Sequence, residues 1–297
     1  MVGDPCYIGT SLHVSLIKSP REYWSGHIQF DLADLGLTRR GKPYKLARMW
    51  NDVVDLREFY AHRLGRTAQR VIRDELRQMW PDVRGQRVLG IGFPTPYLGI
   101  FREEAERVIA AMPAGQGVMH WPAGERGLTM LCDDADLPLP DLSMDRVILI
   151  HSLECTEQMR PMLREVWRVL ADSGRLIVIV PNRRGLWARA DSTPMGHGRP
   201  YSRGQLSRLL KENMFMPNDT SRALFVPPIN LRLVLGAAAA WEKVGRRLFP
   251  AAAGVIMTEA AKQMYAATVA TEPRQKRSIQ AAPKRSQNLN ILPRPHK

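Results

Sequence analysis

No run of about 18 apolar residues occurs in this chain, so nothing in it reads as a helix that crosses a bilayer. A charged-then-apolar leader is also missing from its start, and the expected compartment is the cytoplasm. The three cysteines, Cys6, Cys132 and Cys155, are too few and too scattered for a disulfide framework or a zinc site. They read as small buried apolar side chains. Acidic residues are in deficit, 29 against 43 Lys and Arg, but the deficit is uneven. The first 48 residues carry a net +3 and the last 27 a net +6, which leaves +5 for the 222 residues between them. A folded nucleic-acid-binding face is therefore not implied. A basic tail can hold polyanions only without sequence specificity, so no specific nucleic-acid partner is expected.

What is present is enough for one substantial core: 297 residues, 44% of them hydrophobic. Residues 1–48 show neither period 2 nor period 3.6 and read as a disordered extension; residues 271–297, rich in Pro, Gln and Lys/Arg, read as a disordered basic tail. Both flanks are expected to be dispensable for folding. Residues 49–270 then form the domain. Its first element is an apolar stripe from Asp52 to Trp80, read as one helix closed by Pro81.

The chain is organised around Gln86 to Gly99. Val88, Leu89 and Ile91 make a short buried strand, and Gly92 with Pro94-Thr95-Pro96 forces a turn before a crossover helix over Tyr97 to Arg107. Further strands are expected at Val108 to Met112, at Thr129 to Asp133, from Asp145 to Ile150 and at Arg175 to Val180. Pro161 to Leu170 reads as an amphipathic helix ended by Asp172-Ser173-Gly174, and Ser202 with Gln205 forms a capping box. Ser221 to Val226 and Gly254 to Lys262 supply two more strands, with a helical insertion over Ile229 to Phe249 between them. That insertion is apolar nearly all round in its first two thirds, so it needs a second apolar contact. It is expected to cap the acceptor pocket, with a partner chain or an anionic membrane surface as other occupants it suits, and burial between the core and the Asp52 to Trp80 helix as the alternative.

From Arg87 to Lys262 these elements resemble a class I S-adenosylmethionine-dependent methyltransferase of the type 11 domain group. The resemblance is carried by Gly90-Ile91-Gly92 after the first strand, by Asp133-Asp134-Ala135 after the third, and by the Leu163 to Val180 passage. It implies a Rossmann-like α/β fold: a seven-stranded mixed sheet with helices on both faces, strand 7 antiparallel, and a helical cap at about 229–249. It implies S-adenosyl-L-methionine as cofactor and a small-molecule methyl acceptor. By the same resemblance Gly90, Gly92, Thr95 and Tyr97 form the cofactor loop, Asp134 faces the adenine amino group and Ala135 offers its N–H to a ring nitrogen.

His151, at the tip of the fourth strand, is placed beside the cofactor and is the candidate general base, since imidazole titrates near neutrality. His197, Arg199 and Tyr201, on a long glycine-rich loop over the same edge, are candidate substrate contacts. No metal is required, and no metal-ligand spacing is present. Three positions depart from the family: Gly90 stands where an acid ends the first strand, Pro94 and Pro96 replace loop glycines, and Met112 or Pro113 stands where an acid would accept the ribose hydroxyls. A proline removes a backbone N–H. Those departures keep open a second class, a non-catalytic methyltransferase-like binding or scaffold protein.

Overall fold

Strand alternation decides where the core lies. On the central strands Val88, Ile148, Ile150, Ile177 and Ile179 share one face, while Leu89, Ile91, Val147, Leu149 and Val178 share the other. Both faces of the sheet must therefore be covered by helices. The computed structural model describes residues 52–264, so the expected extension and basic tail lie outside the described residues. The strands are β1 (Arg87–Gly92), β2 (Arg107–Pro113), β3 (Thr129–Cys132), β4 (Met144–Ile150), β5 (Leu170–Pro181), β6 (Phe215–Ala223) and β7 (Val255–Lys262). They form one sheet in the order β3-β2-β1-β4-β5-β7-β6. β7 runs antiparallel to β5 and β6, and the remaining neighbours are parallel. This is the expected seven-stranded mixed sheet. Its parallel strands bring their carboxyl ends to one edge, where α/β sheets hold ligands.

The helices are α1 (Val53–Ala61), α2 (Arg63–Met79), α3 (Thr95–Leu98), α4 (Met159–Val169), α5 (Arg203–Glu212), α6 (Arg232–Gly236) and α7 (Ala238–Leu248). Four differ from the sequence reading. The stripe from Asp52 to Trp80 is two helices, broken at His62, which is extended with φ −85° and ψ 166°. Gly65 explains the break: a Cβ there would lie 2.0 Å from the Phe59 carbonyl oxygen, so only glycine lets α2 fold back against the end of α1.

The first crossover helix is also much shorter than expected, one α-turn followed by a 3-10 turn at Gly99–Phe101. The sheet face it would cover is taken by α2, whose Ala68, Ile72 and Leu76 are fully buried in the same cluster as Val88 and Ile148. Arg77 of α2 holds the far side of this crossover through both carboxylate oxygens of Glu104, at 2.9 and 2.7 Å.

Residues 171–174, expected to end a helix, belong instead to β5, whose pairing with β4 shifts register between Met144 and Arg146. The insertion at 229–249 is two helices, not one. It is tied to α2 and β6 by Glu75, which accepts from Arg246 at 2.9 Å and also from the Ser221 hydroxyl. Leu235 and Ala238 reach the core, and a Cβ on Gly245 would meet the Phe225 ring at 2.5 Å. The rest of the pair is open: Leu233 is 89% exposed, and Leu231, Trp241, Val244, Leu248 and Phe249 are exposed as well. The expected capping box is formed, with the Gln205 N–H on Ser202 Oγ at 3.2 Å and the Ser202 N–H on Gln205 Oε1 at 3.0 Å.

Candidate functional site

The carboxyl ends of β1 and β4 are joined directly. Gly92 turns with φ 98°, and a Cβ there would sit 2.2 Å from the Ile150 carbonyl oxygen, so the turn admits glycine alone. The Phe93 N–H then donates to that same oxygen at 3.0 Å. The chain folds back so closely that a Cβ on Gly90 would meet Pro94 Cβ at 2.3 Å. Thr95 opens α3, and the Pro96 carbonyl accepts from the Gln69 side chain of α2 at 2.7 Å. The loop is thereby pinned from both sides.

His151 follows β4 in the left-handed region, φ 51°, an outlier for a residue with a side chain and of a kind that concentrates at functional sites. Its ring ends a buried chain: the Tyr97 hydroxyl donates to the Tyr60 hydroxyl at 2.6 Å, and Tyr60 meets His151 Nε2 at 2.6 Å. With the Tyr60 oxygen already accepting, its proton goes to Nε2, which places the imidazole proton on Nδ1. Nδ1 lies 3.5 Å from Glu154 Oε1, too long for a good hydrogen bond. Burial pushes both tyrosine hydroxyls far above the usual phenol range, so they remain protonated. The ring of Tyr60 stacks on Phe93 with centroids 5.9 Å apart, giving the chain an aromatic surround.

Four buried polar atoms at this edge have no partner: Gln116 Oε1, Asp134 Oδ2, His151 Nδ1 and Glu154 Oε2. Such groups cost stability, so their concentration at one edge calls for an explanation. Gln116, 2% exposed, stands just past β2 and donates its Nε2 to the His151 carbonyl at 3.1 Å. Asp134, 5% exposed, stands just past β3. Burial raises its carboxyl above the usual carboxylate range, against the lowering effect of a hydrogen bond from Thr156. The neighbouring Cys132 thiol is pushed up to about 12 by burial and then by the Asp134 charge.

The remaining residues expected at the site separate. The Ala135 N–H is taken by Asp133 Oδ1 at 2.9 Å, within its own turn. The Thr95 hydroxyl faces the Met119 sulfur at 4.0 Å. In the long loop the Arg199 N–H donates to the Glu154 carbonyl at 2.8 Å, which brings Arg199 to this edge, whereas the His197 ring turns to the Asp191 carbonyl at 2.9 Å. The Tyr201 ring packs in the core cluster that holds Leu206, with its hydroxyl on the Met159 sulfur at 2.9 Å, and burial followed by the Glu154 charge raises that hydroxyl above the usual phenol range. Sequence reasoning passed over Tyr60, Gln116 and the unpaired side of Glu154. A tyrosine, with its polar tip, on the apolar stripe was the available signal for the first; a loop glutamine carries none. Among the described residues no group of His, Cys, Asp or Glu could hold a metal ion.

Residues 88–178 match the model of the methyltransferase domain family. A solved S-adenosylmethionine-dependent methyltransferase of Thermotoga maritima shares the fold at 18% identity and a TM-score of 0.50, covering 71% of this chain and 96% of that one. The complex between the Haloferax volcanii Trm112 methyltransferase activator and its methyltransferase contains a chain that matches at 15% identity and a TM-score of 0.53, with 72% and 99% covered. No curated protein matches the chain.

Proposed function

We propose that this chain, whose residues 88–178 match the methyltransferase domain family, is a class I S-adenosylmethionine-dependent methyltransferase that methylates a small, partly apolar acceptor at the edge where His151 meets the Gly92 turn. The observation that carries this reading is the pair of unpartnered buried acceptors, Gln116 Oε1 and Asp134 Oδ2, on adjoining strand ends. An adenosine group brings the matching donors, an amino N–H and ribose hydroxyls, so the residues present fit the cofactor. Gln116 would then stand in for the ribose acid that the β2 end lacks, and Asp134 would take the amino group.

S-Adenosylmethionine supplies, when bound, a methyl group on a sulfonium sulfur. The chain's share is mainly position and orientation. Gly92 keeps the turn free of side chains; Pro94 and Pro96 offer no N–H, which leaves Thr95 as the donor of that turn. His151 Nε2 is held by the Tyr60 hydroxyl, so it would take a proton leaving the substrate only once that hydrogen bond gives way, and Glu154 beside Nδ1 would stabilise the imidazolium that results. Phe93 and the Tyr60 ring favour an acceptor with an apolar body, and Arg199, with His197 at the outer rim, would select among acceptors.

Calorimetry with S-adenosylhomocysteine tests the cofactor half. Wild type should bind on the order of micromolar, and Gln116→Leu should weaken binding about tenfold, the cost of one buried hydrogen bond of 1–3 kcal/mol. A folded wild type that binds neither S-adenosylmethionine nor its demethylated product would return the chain to the scaffold reading. Acceptor identity would follow from methyl transfer to candidate alcohols and amines, with Tyr60→Phe as control.

A further inference from the structure

Arg63, Arg66, Arg70 and Arg73 recur along α2 at spacings of three and four, which sets them on one side of the helix. The first three, together with Arg232 of α6, line a cavity of about 360 Å³ that also touches Leu235 and has no carboxylate in its wall. Among the described residues these four arginines make no ion pair. Arg63 and Arg66 fall in or beside the first turn of α2, which holds no acidic residue and where the partial positive charge of a helix start disfavours cations, whereas Arg66, Arg70 and Arg73 also border a second cavity lined by Asp74, Glu103 and Glu104. The wall of the smaller cavity therefore presents positive charge without a carboxylate, which suits an anion from outside the chain. Leu231 and Leu233, on either side of Arg232, are 57% and 89% exposed, and Leu248 and Phe249 at the end of α7 are 61% and 62% exposed. Lys243 and Arg247 lie exposed on the same helix.

We propose that α6 and α7, with the arginine side of α2, seat the protein on the surface of an anionic phospholipid bilayer. The headgroup phosphates would occupy the cavity formed by Arg63, Arg66, Arg70 and Arg232, and Leu231, Leu233, Leu248 and Phe249 would enter the acyl boundary. Basic and large apolar side chains on one short amphipathic unit are the composition of an interfacial anchor. A nucleic acid would satisfy the arginines and gain nothing from exposed leucines, so the charge pattern and the apolar pattern together favour lipid. No helix among the described residues is long and apolar enough to cross a membrane, so the contact is peripheral. The proposal does not depend on the methyl-transfer reading.

The test is co-sedimentation of the full chain with vesicles of phosphatidylcholine alone and of phosphatidylcholine mixed with phosphatidylglycerol, at low and at physiological salt. The expected result is partition onto the mixed vesicles only. Because the sequence ends in a basic segment, charge alone could give weak binding, and the uncharged variant Leu233→Ser with Leu248→Ser separates the two. Both leucines are exposed, so the variant keeps its fold by circular dichroism while partition falls at least about tenfold, the loss expected when a buried leucine is removed from lipid. Arg70→Gln with Arg232→Gln should reduce partition about tenfold as well, through loss of attraction to the charged surface. Partition of the leucine variant equal to wild type overturns the proposal, as does equal binding to neutral vesicles. Binding to single-stranded RNA without any vesicle partition overturns it in favour of a polyanion surface.

Discussion

The two crossovers that flank the site are built in opposite ways. Between β4 and β5 the chain supplies its own cover: α4 buries Met162, Leu163, Val166 and Val169, and its Arg168 is held by Glu165 and Asp141 at 2.6 and 2.7 Å. Between β1 and β2 it supplies one α-turn and a 3-10 turn, and the apolar face of α2 is borrowed from upstream to cover the sheet. In the self-contained crossover the helix keeps Arg168 paired, while the loop leading into it carries His151 and Glu154, whose Nδ1 and Oε2 have no partner. The borrowed one borders the edge where Gln116, Asp134, His151 and Glu154 keep unpartnered atoms. Shortening the crossover brings α1 and α2 to the ligand edge, so Tyr60 can reach His151. The consequence is a turn after β1 whose shape depends on a helix from upstream.

The largest expected effect tests whether the borrowed helix is as much a part of the core as the resident one. Leu76 of α2 and Leu163 of α4 are both fully buried. Leu76→Ala and Leu163→Ala should each cost about 2–5 kcal/mol in denaturant unfolding, the range for a leucine cavity in a packed core. A cost below about 1 kcal/mol for Leu76→Ala alone would show that α2 is a loosely attached cover, and the comparison would fail.

The resident crossover was legible in sequence and the borrowed one was not, for physical reasons. Periodicity reports burial of a segment's own face, so α4, the central strands and the capping box at Ser202 were all readable. It cannot report which partner does the burying. The break at His62 depends on the Gly65 backbone meeting Phe59, a contact decided by tertiary approach. The segment Tyr97 to Arg107 reads as a crossover helix by its position after the strand and turn, and here α2 already fills the space. Of the site, the Gly92 turn and Asp134 announced themselves through glycine and paired acids after apolar strands. Gln116 did not, since its role comes from a hydrogen bond to the His151 carbonyl and from burial.

A middle-sized effect tests polar satisfaction at the edge that both crossovers border. Asp134→Ala should weaken cofactor binding by about 1–3 kcal/mol in calorimetry, while leaving the ligand-free protein no less stable. The sign follows from its raised carboxyl. A carboxyl that holds its proton more tightly when folded contributes stability that is fully present below its unfolded pKa of about 4 and is lost as pH rises through the folded value. Thermal melts of wild type should therefore lose stability upward through that window, and Asp134→Asn should flatten the loss. Cofactor affinity runs the other way: it should fall as pH drops and the carboxylate that accepts the amino N–H becomes protonated. A melting curve for Asp134→Asn parallel to wild type at every pH would take the carboxyl out of the ledger of unsatisfied groups.

The smallest expected effect separates position from proton handling in the chain from Tyr97 through Tyr60 to His151. Tyr60→Phe keeps the ring that stacks on Phe93 and removes only the oxygen between the Tyr97 hydroxyl and His151 Nε2. The stability cost should be about 1 kcal/mol, one net hydrogen bond, because both neighbours stay buried. If Tyr60 merely fixes the imidazole, cofactor affinity and the pH profile of methyl transfer stay as in wild type and only the melting temperature moves. If its hydroxyl also keeps Nε2 covered until the acceptor arrives, the variant frees that nitrogen, and the pH profile of methyl transfer should change along with the rate. The second outcome is expected here, since His151 stands in a strained backbone conformation at the tip of β4 with Glu154 already beside Nδ1. Loss of activity at every pH with an unmoved profile would instead mean that α1 sets the geometry of the edge and carries no proton.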